Sequence, residues 1–195
     1  MEEVITALEG FAYPENNQQR IDCEIAVREL RKQNPKLFLF HMSECLNNKD
    51  VKTNARFVAG ILFKNTVLNT SKDEVLDKLW FKMSGEERDT MKRSLFKALV
   101  CNNKNVMRSA GFAISAVAVL EIPNGQSLDI IDILYENSRH HLDNIKEVSL
   151  STFKYICEDI SSKDLQKEQA DLIVNTCVKL LKENSANPKN LFNII

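Results

Sequence analysis

The side chains most able to do chemistry in this sequence are scattered, and as a set they favour recognition by charge over catalysis. His140 and His141 are adjacent. Neighbouring residues on a helix diverge, so this pair is expected to be turn or cap residues and not metal ligands. His41 lies between Phe40 and Met42 and reads as a half-buried structural histidine. Glu158 and Asp159 fail as an acid–base pair for the same geometric reason and read as the polar last turn of a helix. The five cysteines, Cys23, Cys45, Cys101, Cys157 and Cys177, are widely spaced among apolar residues with no zinc or redox spacing. They are expected to be buried free thiols of an intracellular protein. No Gly-rich phosphate loop, His-Glu-x-x-His or Gly-x-Ser-x-Gly pattern occurs, so neither an enzyme nor a cofactor is expected. What remains is basic: Arg56, Lys64 and Lys72, with Arg20, Glu24, Arg28, Asn105 and Arg108 on neighbouring segments. These read either as solvated helix faces or as one inner wall of alternating charge suited to grasping a folded protein.

The elements that must carry those residues are helical. An apolar fraction of 44% over 195 residues supports a real core, and only 5 Gly and 4 Pro argue against a loop-rich or all-β chain. With 26 basic and 27 acidic residues the net charge is −1, so no general drive toward nucleic acid or an anionic membrane is expected. The longest apolar stretch, Gly111 to Leu120, is shorter than the roughly 20 residues of a membrane span and reads as a buried helix. An acidic start, Met1-Glu2-Glu3-Val4, lacks the pattern of a secretory signal.

Helical periodicity places a first helix near Glu2–Phe11 and a second starting at Pro14 and running to about Gln33, with Ile21, Ile25, Val27 and Leu30 apolar. Asn34-Pro35 starts a third, with Leu37, Phe38, Phe40, Met42, Cys45 and Leu46 apolar. The fourth, from about Val51 to Asn69, is apolar on several sides and is expected to be an inner helix. Its stripe is Val51, Ala55, Val58, Ala59 and Leu62, and a thin free strip is centred on Thr53, Gly60 and Lys64. A short extra helix with a Ser71 cap and Trp80 is expected to lid one end of the array. Further helices follow Ser84, Asn105, Leu128, Leu142 and the Ser161-Ser162 pair, with a last one after Pro188. The second helices of the pairs recur every 43 or so residues, the period of HEAT or armadillo repeats. The expected fold is all-α: a right-handed superhelical solenoid of HEAT repeats built from antiparallel helix pairs. One array is expected over residues 1–195, with about four pairs and the start of a fifth. The sequence stops within an apolar helix, so an N-terminal piece of a longer array is expected.

Ala55-Arg56-Phe57-Val58-Ala59-Gly60-Ile61-Leu62-Phe63-Lys64-Asn65 resembles the A-R-x-x-A-G-x-x-x-K-N pattern in the second repeat of the importin beta family of nuclear transport receptors. Ala118 to Pro123 is similar to the family's A-x-x-E-I-P, and Tyr155 to Ile160 to its Y-I-C-x-D-I, in the same order. The resemblance covers essentially the whole chain, with residues 15–82 or so as the importin N-terminal region. It departs at Thr66–Thr70, which is longer, and at Asn124–Ser127, where the family has a tryptophan. The resemblance implies a nuclear import receptor, in cytoplasm, nucleus and nuclear pore, that binds the GTPase Ran in its GTP form on inner helices. It implies Lys64 and Lys72 as Ran contacts, with Arg56, Arg28 and Arg108 by position. It further implies nucleoporin Phe-Gly repeats in pockets between outer helices, half of one formed by Ile173, Val174 and Cys177. Importin alpha and cargo would engage repeats beyond this sequence, and no nucleic acid, membrane, metal or cofactor is implied. The competing reading is a HEAT-repeat scaffold subunit of a non-transport complex.

Overall fold

The structure is a computed structural model, and it describes residues 1–70, 72–76, 78–161 and 163–184. Among the described residues there are nine α-helices and no strand. They are α1 (Glu2–Ala12), α2 (Asn17–Gln33), α3 (Pro35–Asn47), α4 (Thr53–Val67), α5 (Gly85–Leu99), α6 (Lys104–Glu121), α7 (Asp129–Asn137), α8 (Asp143–Asp159) and α9 (Lys167–Asn184). The all-α class follows the periodicity, and α1 packs on α2, α3 on α4 and α7 on α8. The expected helix after Pro188 lies outside the described residues. Two compact units divide the chain, residues 1–113 and the residues from Ile114 onward, with the division inside α6.

In the first unit α1 packs on α2 and α4, and α3 packs on α4 and α5. Side chains that cap the helices set their boundaries. Asn16 accepts a hydrogen bond from the Gln19 backbone N–H at 2.8 Å, so α2 starts at Asn17 and not at Pro14. Asn34 closes α2 through its own N–H to the Leu30 carbonyl, then opens α3 by accepting from the Leu37 N–H at 3.0 Å, with Pro35 in the first turn. Ser84 and Glu87 form a reciprocal capping box at the start of α5. The α3–α5 contact holds a buried polar knot. The Asn47 amide donates to the Ser94 hydroxyl and carbonyl at 2.7 and 2.8 Å, and the Ser94 hydroxyl bonds the Ser43 carbonyl at 3.0 Å.

Several expectations for this unit change. The strip on α4 is not free: Gly60 is buried, and a Cβ there would lie 2.7 Å from the Ser109 Cβ on α6. Glycine at this position lets two backbones approach. Val58 and Leu62 are only half-buried, whereas Ala55, Ala59 and Phe63 are sealed. On α2 only Val27 is buried, and Ile21 and Ile25 are exposed. Among the described residues the stretch before α5 forms two single 3₁₀ turns, Glu74–Leu76 and Trp80–Lys82, in place of the expected helix, and its expected cap Ser71 lies outside the described residues. Positive φ at Asn69, Lys72 and Lys78 breaks any continuous helix there. Trp80 does not lid anything from outside: it is 1% exposed and meets the Phe63 ring edge-on, centroids 6.1 Å apart.

In the second unit the end of α6 buries Ile114, Ala116, Val117 and Ala118. Lys104–Asn124 is long and apolar enough to cross a membrane, but most of its apolar stretch is buried inside the protein, as befits a core helix. A 3₁₀ turn, Ile122–Asn124, ends at Gly125 in the left-handed region (φ 69°). Helix α7 packs on α8 and α9, burying Ile130, Ile131, Leu134, Ile145, Phe153 and Ile156. The Tyr135 hydroxyl donates to the Glu183 carboxylate at 2.7 Å, which ties α7 to the last turn of α9. Helix α9 starts at Lys167 and not directly after Ser161, and Ser162 lies outside the described residues. At the start of α9 the Gln166 N–H donates to the Gln169 side chain at 2.9 Å.

Candidate protein-binding interface

Two of the predicted basic residues come together. Lys64 stands in the last turn of α4 and Arg108 one turn into α6. The close approach at Gly60 and Ser109 sets these helices side by side. Both cations then reach the same ring: the Lys64 Nζ lies 5.5 Å from the Phe112 centroid, and the Arg108 guanidinium carbon 5.8 Å from it. An aromatic face attracts a cation by about 0.5–1 kcal/mol at an exposed site. The ring therefore holds two like charges near each other that water alone would let drift apart. Among the described residues neither cation has an ion-pair partner. The result is a fixed basic pair over an apolar platform, a geometry that fits carboxylates on a partner surface. Phe112 was missed in the sequence, although its position four residues after Arg108 on an obvious helix is the spacing at which side chains meet.

The other three basic residues do not join that pair. Arg56 is structural, because its guanidinium makes bonds of 2.9 and 2.6 Å to the Leu46 carbonyl and satisfies the open end of α3. Arg28 is exposed on α2 and paired with Glu24 at 3.1 Å, one turn away. Lys72 is exposed on the loop after α4, with its N–H bonded to the Asn69 carbonyl and φ at 53°.

The apolar half-pocket expected on α9 is also redistributed. Ile173 is 7% exposed and belongs to the core, while Val174 is 58% exposed. Cys177 is half-buried. Of the three, Val174 alone offers open apolar surface. A better-formed groove lies between α3 and α5, with a volume of about 410 Å³. Leu37, Phe40 and Met91 line it, and Lys36 and Glu87 form an ion pair on its rim. Leu37 and Phe40, two of the apolar residues of α3, are 46% and 37% exposed. The histidines are structural. Burial lowers the pKa of His41, and the stacked rings of His140 and His141 sit in the turn before α8, where the His140 Nδ1 accepts from the Leu142 N–H. Among the described residues no cluster could hold a metal ion.

Paired helices of this length, alternating along the chain, define an array of HEAT repeats. Within that class the chain is similar to the importin beta subunits. It is 24% identical to importin subunit beta-1 of Arabidopsis thaliana over 179 residues, 88% of this chain and 21% of that protein. It is 25% identical to the Saccharomyces cerevisiae protein over 175 residues, 86% of this chain and 20% of that one. The chain thus spans about a fifth of the length of these relatives. Among solved structures, Kap95 in its complex with Nup1 superposes with a TM-score of 0.84 at 22% identity, over 99% of this chain and 23% of that one. Kap95p in the complex whose formation induces the switch loops of RanGDP to adopt the GTP-bound conformation gives 0.73 at 22% identity, covering 99% of this chain and 25% of that one. No family model matches the sequence.

Proposed function

We propose that this chain is part of a nuclear import receptor, working between cytoplasm and nucleus, and that it recognises Ran in its GTP form through the second helices of its pairs. The observation that carries this reading is the basic pair Lys64 and Arg108 on Phe112, in a chain whose sequence similarity is to importin beta subunits. Lys64 is also the lysine of the A-R-x-x-A-G-x-x-x-K-N motif. Arg28 and Lys72 are exposed and add peripheral charge, while Arg56 acts by holding the end of α3. The bound nucleotide belongs to Ran, so the chain itself needs no cofactor and acts as a receptor, not an enzyme. Importin alpha and cargo engage repeats outside these 195 residues.

Nucleoporin Phe-Gly repeats would use the face of the first helices. The α3–α5 groove has an apolar lining of Leu37, Phe40 and Met91 and room for an aromatic ring; Val174 on α9 offers a smaller contact. The deciding experiment is binding of the chain to Ran loaded with a non-hydrolysable GTP analogue or with GDP. Tighter binding of the GTP form is expected, and Lys64→Glu or Arg108→Glu should each weaken it at least tenfold with the helical circular dichroism unchanged. Equal affinity for the two nucleotide forms would refute the transport reading and leave a static HEAT scaffold.

A further inference from the structure

Beyond the basic pair and the apolar groove, one cluster of charged side chains joins α7 to α9. The Tyr135 ring of α7 is half-buried and gathers two cations. The Arg139 guanidinium carbon lies 5.7 Å from its centroid, and the Lys179 Nζ of α9 lies 5.5 Å from it. An aromatic face attracts cations and keeps them in place, as Phe112 does for Lys64 and Arg108. The two clusters differ in one respect: this one already holds a carboxylate. Glu183 lies on α9, one turn after Lys179. One of its oxygens accepts from the Tyr135 hydroxyl at 2.7 Å, and the other lies 3.7 Å from the Arg139 Nε.

That carboxylate identifies the ligand chemistry of the cluster. The phenol meets one oxygen of the acid and the guanidinium meets the other, and both contacts favour a negative charge. The capacity of the site is not used up. Among the described residues Lys179 has no ion-pair partner, and the two terminal nitrogens of Arg139 make no hydrogen bond. Two cations face one carboxylate, so positive charge is in excess. Glu183 is also held weakly. Its side chain is 38% exposed and that of Arg139 is 56% exposed, and exposed ion pairs contribute little because water screens them. Rotation about the Glu183 side-chain bonds moves the carboxylate into solvent with α9 in place. An incoming segment with several carboxylates can engage Tyr135, Arg139 and Lys179 together, and after its first contact the others form intramolecularly. Glu183 meets only two of the three.

We propose that Tyr135, Arg139 and Lys179 form a docking site for an acidic segment of a partner protein, and that Glu183 is an internal stand-in for the partner's carboxylate, displaced on binding. The site shares no residue with the Ran contact proposed above and does not rest on it. A neutral or basic segment gains nothing there, because displacing Glu183 would leave the donors and cations without a negative charge.

The test uses the whole 195-residue chain with Lys64→Ala and Arg108→Ala in the background, so that the first basic pair does not take up the probe. The probe is fluorescein-labelled hexaglutamate, and its binding is read by fluorescence anisotropy at low ionic strength. Helical circular dichroism checks that each variant is folded. Lys179→Ala and Arg139→Ala should each weaken binding by about threefold or more, and Glu183→Gln, which removes the charge of the competitor, should tighten it by about twofold to fivefold. Tyr135→Leu removes the ring that holds the cations and should weaken binding as the loss of either cation does. A cluster that only ties α7 to α9 predicts a lower thermal midpoint for Glu183→Gln with no gain in binding, and that result would overturn the proposal. So would hexaglutamate binding that is indifferent to Arg139 and Lys179, or no binding even by Glu183→Gln. A phosphoserine peptide of equal charge that binds more than about tenfold tighter than hexaglutamate would mark a phosphate site and overturn the carboxylate assignment.

Discussion

Replacing Gly60 with alanine should destabilise the protein, although alanine is the better helix former. In an exposed helix interior the exchange gains up to about 1 kcal/mol. At Gly60 the new Cβ would lie 2.7 Å from both the Cβ and the Oγ of Ser109, and 2.8 Å from the Ser109 carbonyl oxygen. Carbon atoms rest at about 3.5–4.0 Å, so roughly 1 Å is missing. Rotating the Ser109 hydroxyl relieves one contact. The other two belong to the α6 backbone and its Cβ, so α4 and α6 must separate. Overpacking of this kind costs about 1–3 kcal/mol. Gly85 provides the control, because nothing lies within 4 Å of a Cβ placed there. The urea midpoint, followed by helical circular dichroism and converted at a common m-value, should therefore fall for Gly60→Ala relative to Gly85→Ala by an amount equivalent to about 1–3 kcal/mol. Ser109→Gly should recover part of the loss, since it removes the Cβ contact but leaves the carbonyl. A Gly60→Ala protein as stable as Gly85→Ala, or no coupling between positions 60 and 109, would refute the close-approach argument. It would also undercut the placement of Lys64, one turn further along the same helix.

Trp80→Ala should cost about 3–5 kcal/mol in the same assay, because a sealed indole against Phe63 leaves a cavity; a loss below about 1 kcal/mol would mean the 3₁₀ segment is only a surface flap. Ser94→Ala removes the hydroxyl at the centre of the α3–α5 polar knot, which bonds the Ser43 carbonyl and accepts from the half-buried Asn47 amide, while that amide keeps the Ser94 carbonyl; the expected cost is about 0.5–1.5 kcal/mol, read from thermal denaturation. Glu87 ties the α5 cap to α3: its salt-bridging hydrogen bond from Lys36, and then the Ser84 N–H, hold its carboxyl below the ordinary value of 4.5. A folded-state pKa depressed in this way adds stability above the unfolded value and loses it as pH falls through the folded one. The advantage of the wild type over Glu87→Gln should thus be present at pH 7 and fade below about pH 4.5; an advantage independent of pH would place it in packing. Phe112→Ala should release Lys64 and Arg108 without unfolding α6 and weaken binding to GTP-loaded Ran nearly as much as the loss of either charge; unchanged binding would show that the ring does not organise the pair.

The parts of the fold legible in the sequence are those decided by local chemistry. Asn34-Pro35 between two apolar periodicities marks a helix junction, because one asparagine can end one helix and cap the next. Ser84 with Glu87 marks the start of α5 for a similar reason. The failures share the opposite character. Leu37 and Phe40 are as apolar as the buried residues of α3, yet they are exposed, because the groove between α3 and α5 depends on how two helices diverge and has no local signature. Ile21 and Ile25 are exposed for the same reason: what a helix face meets is set by other elements. The segment around Trp80 has the composition of a helix, and three positive φ angles that no residue type there demands break it into turns.

The candidate interface divides along the same line. Periodicity alone puts Lys64, Arg56 and Arg108 on second helices, but it cannot rank them, since all three are basic residues on helix surfaces. Tertiary contact separates them. Arg56 is consumed by the Leu46 carbonyl, and a guanidinium with two good bonds to a helix end is costly to remove and poorly free to bind. Lys64 and Arg108 are held instead by the π face of Phe112, which fixes their position without neutralising their charge. A carbonyl uses up hydrogen-bond donors, while a ring leaves most of them free for a partner. It follows that Arg56→Ala should act mainly on stability and Lys64→Ala mainly on Ran affinity. Measuring both quantities for both variants tests that division directly, and a Lys64→Ala protein that unfolds earlier yet binds Ran normally would reverse it.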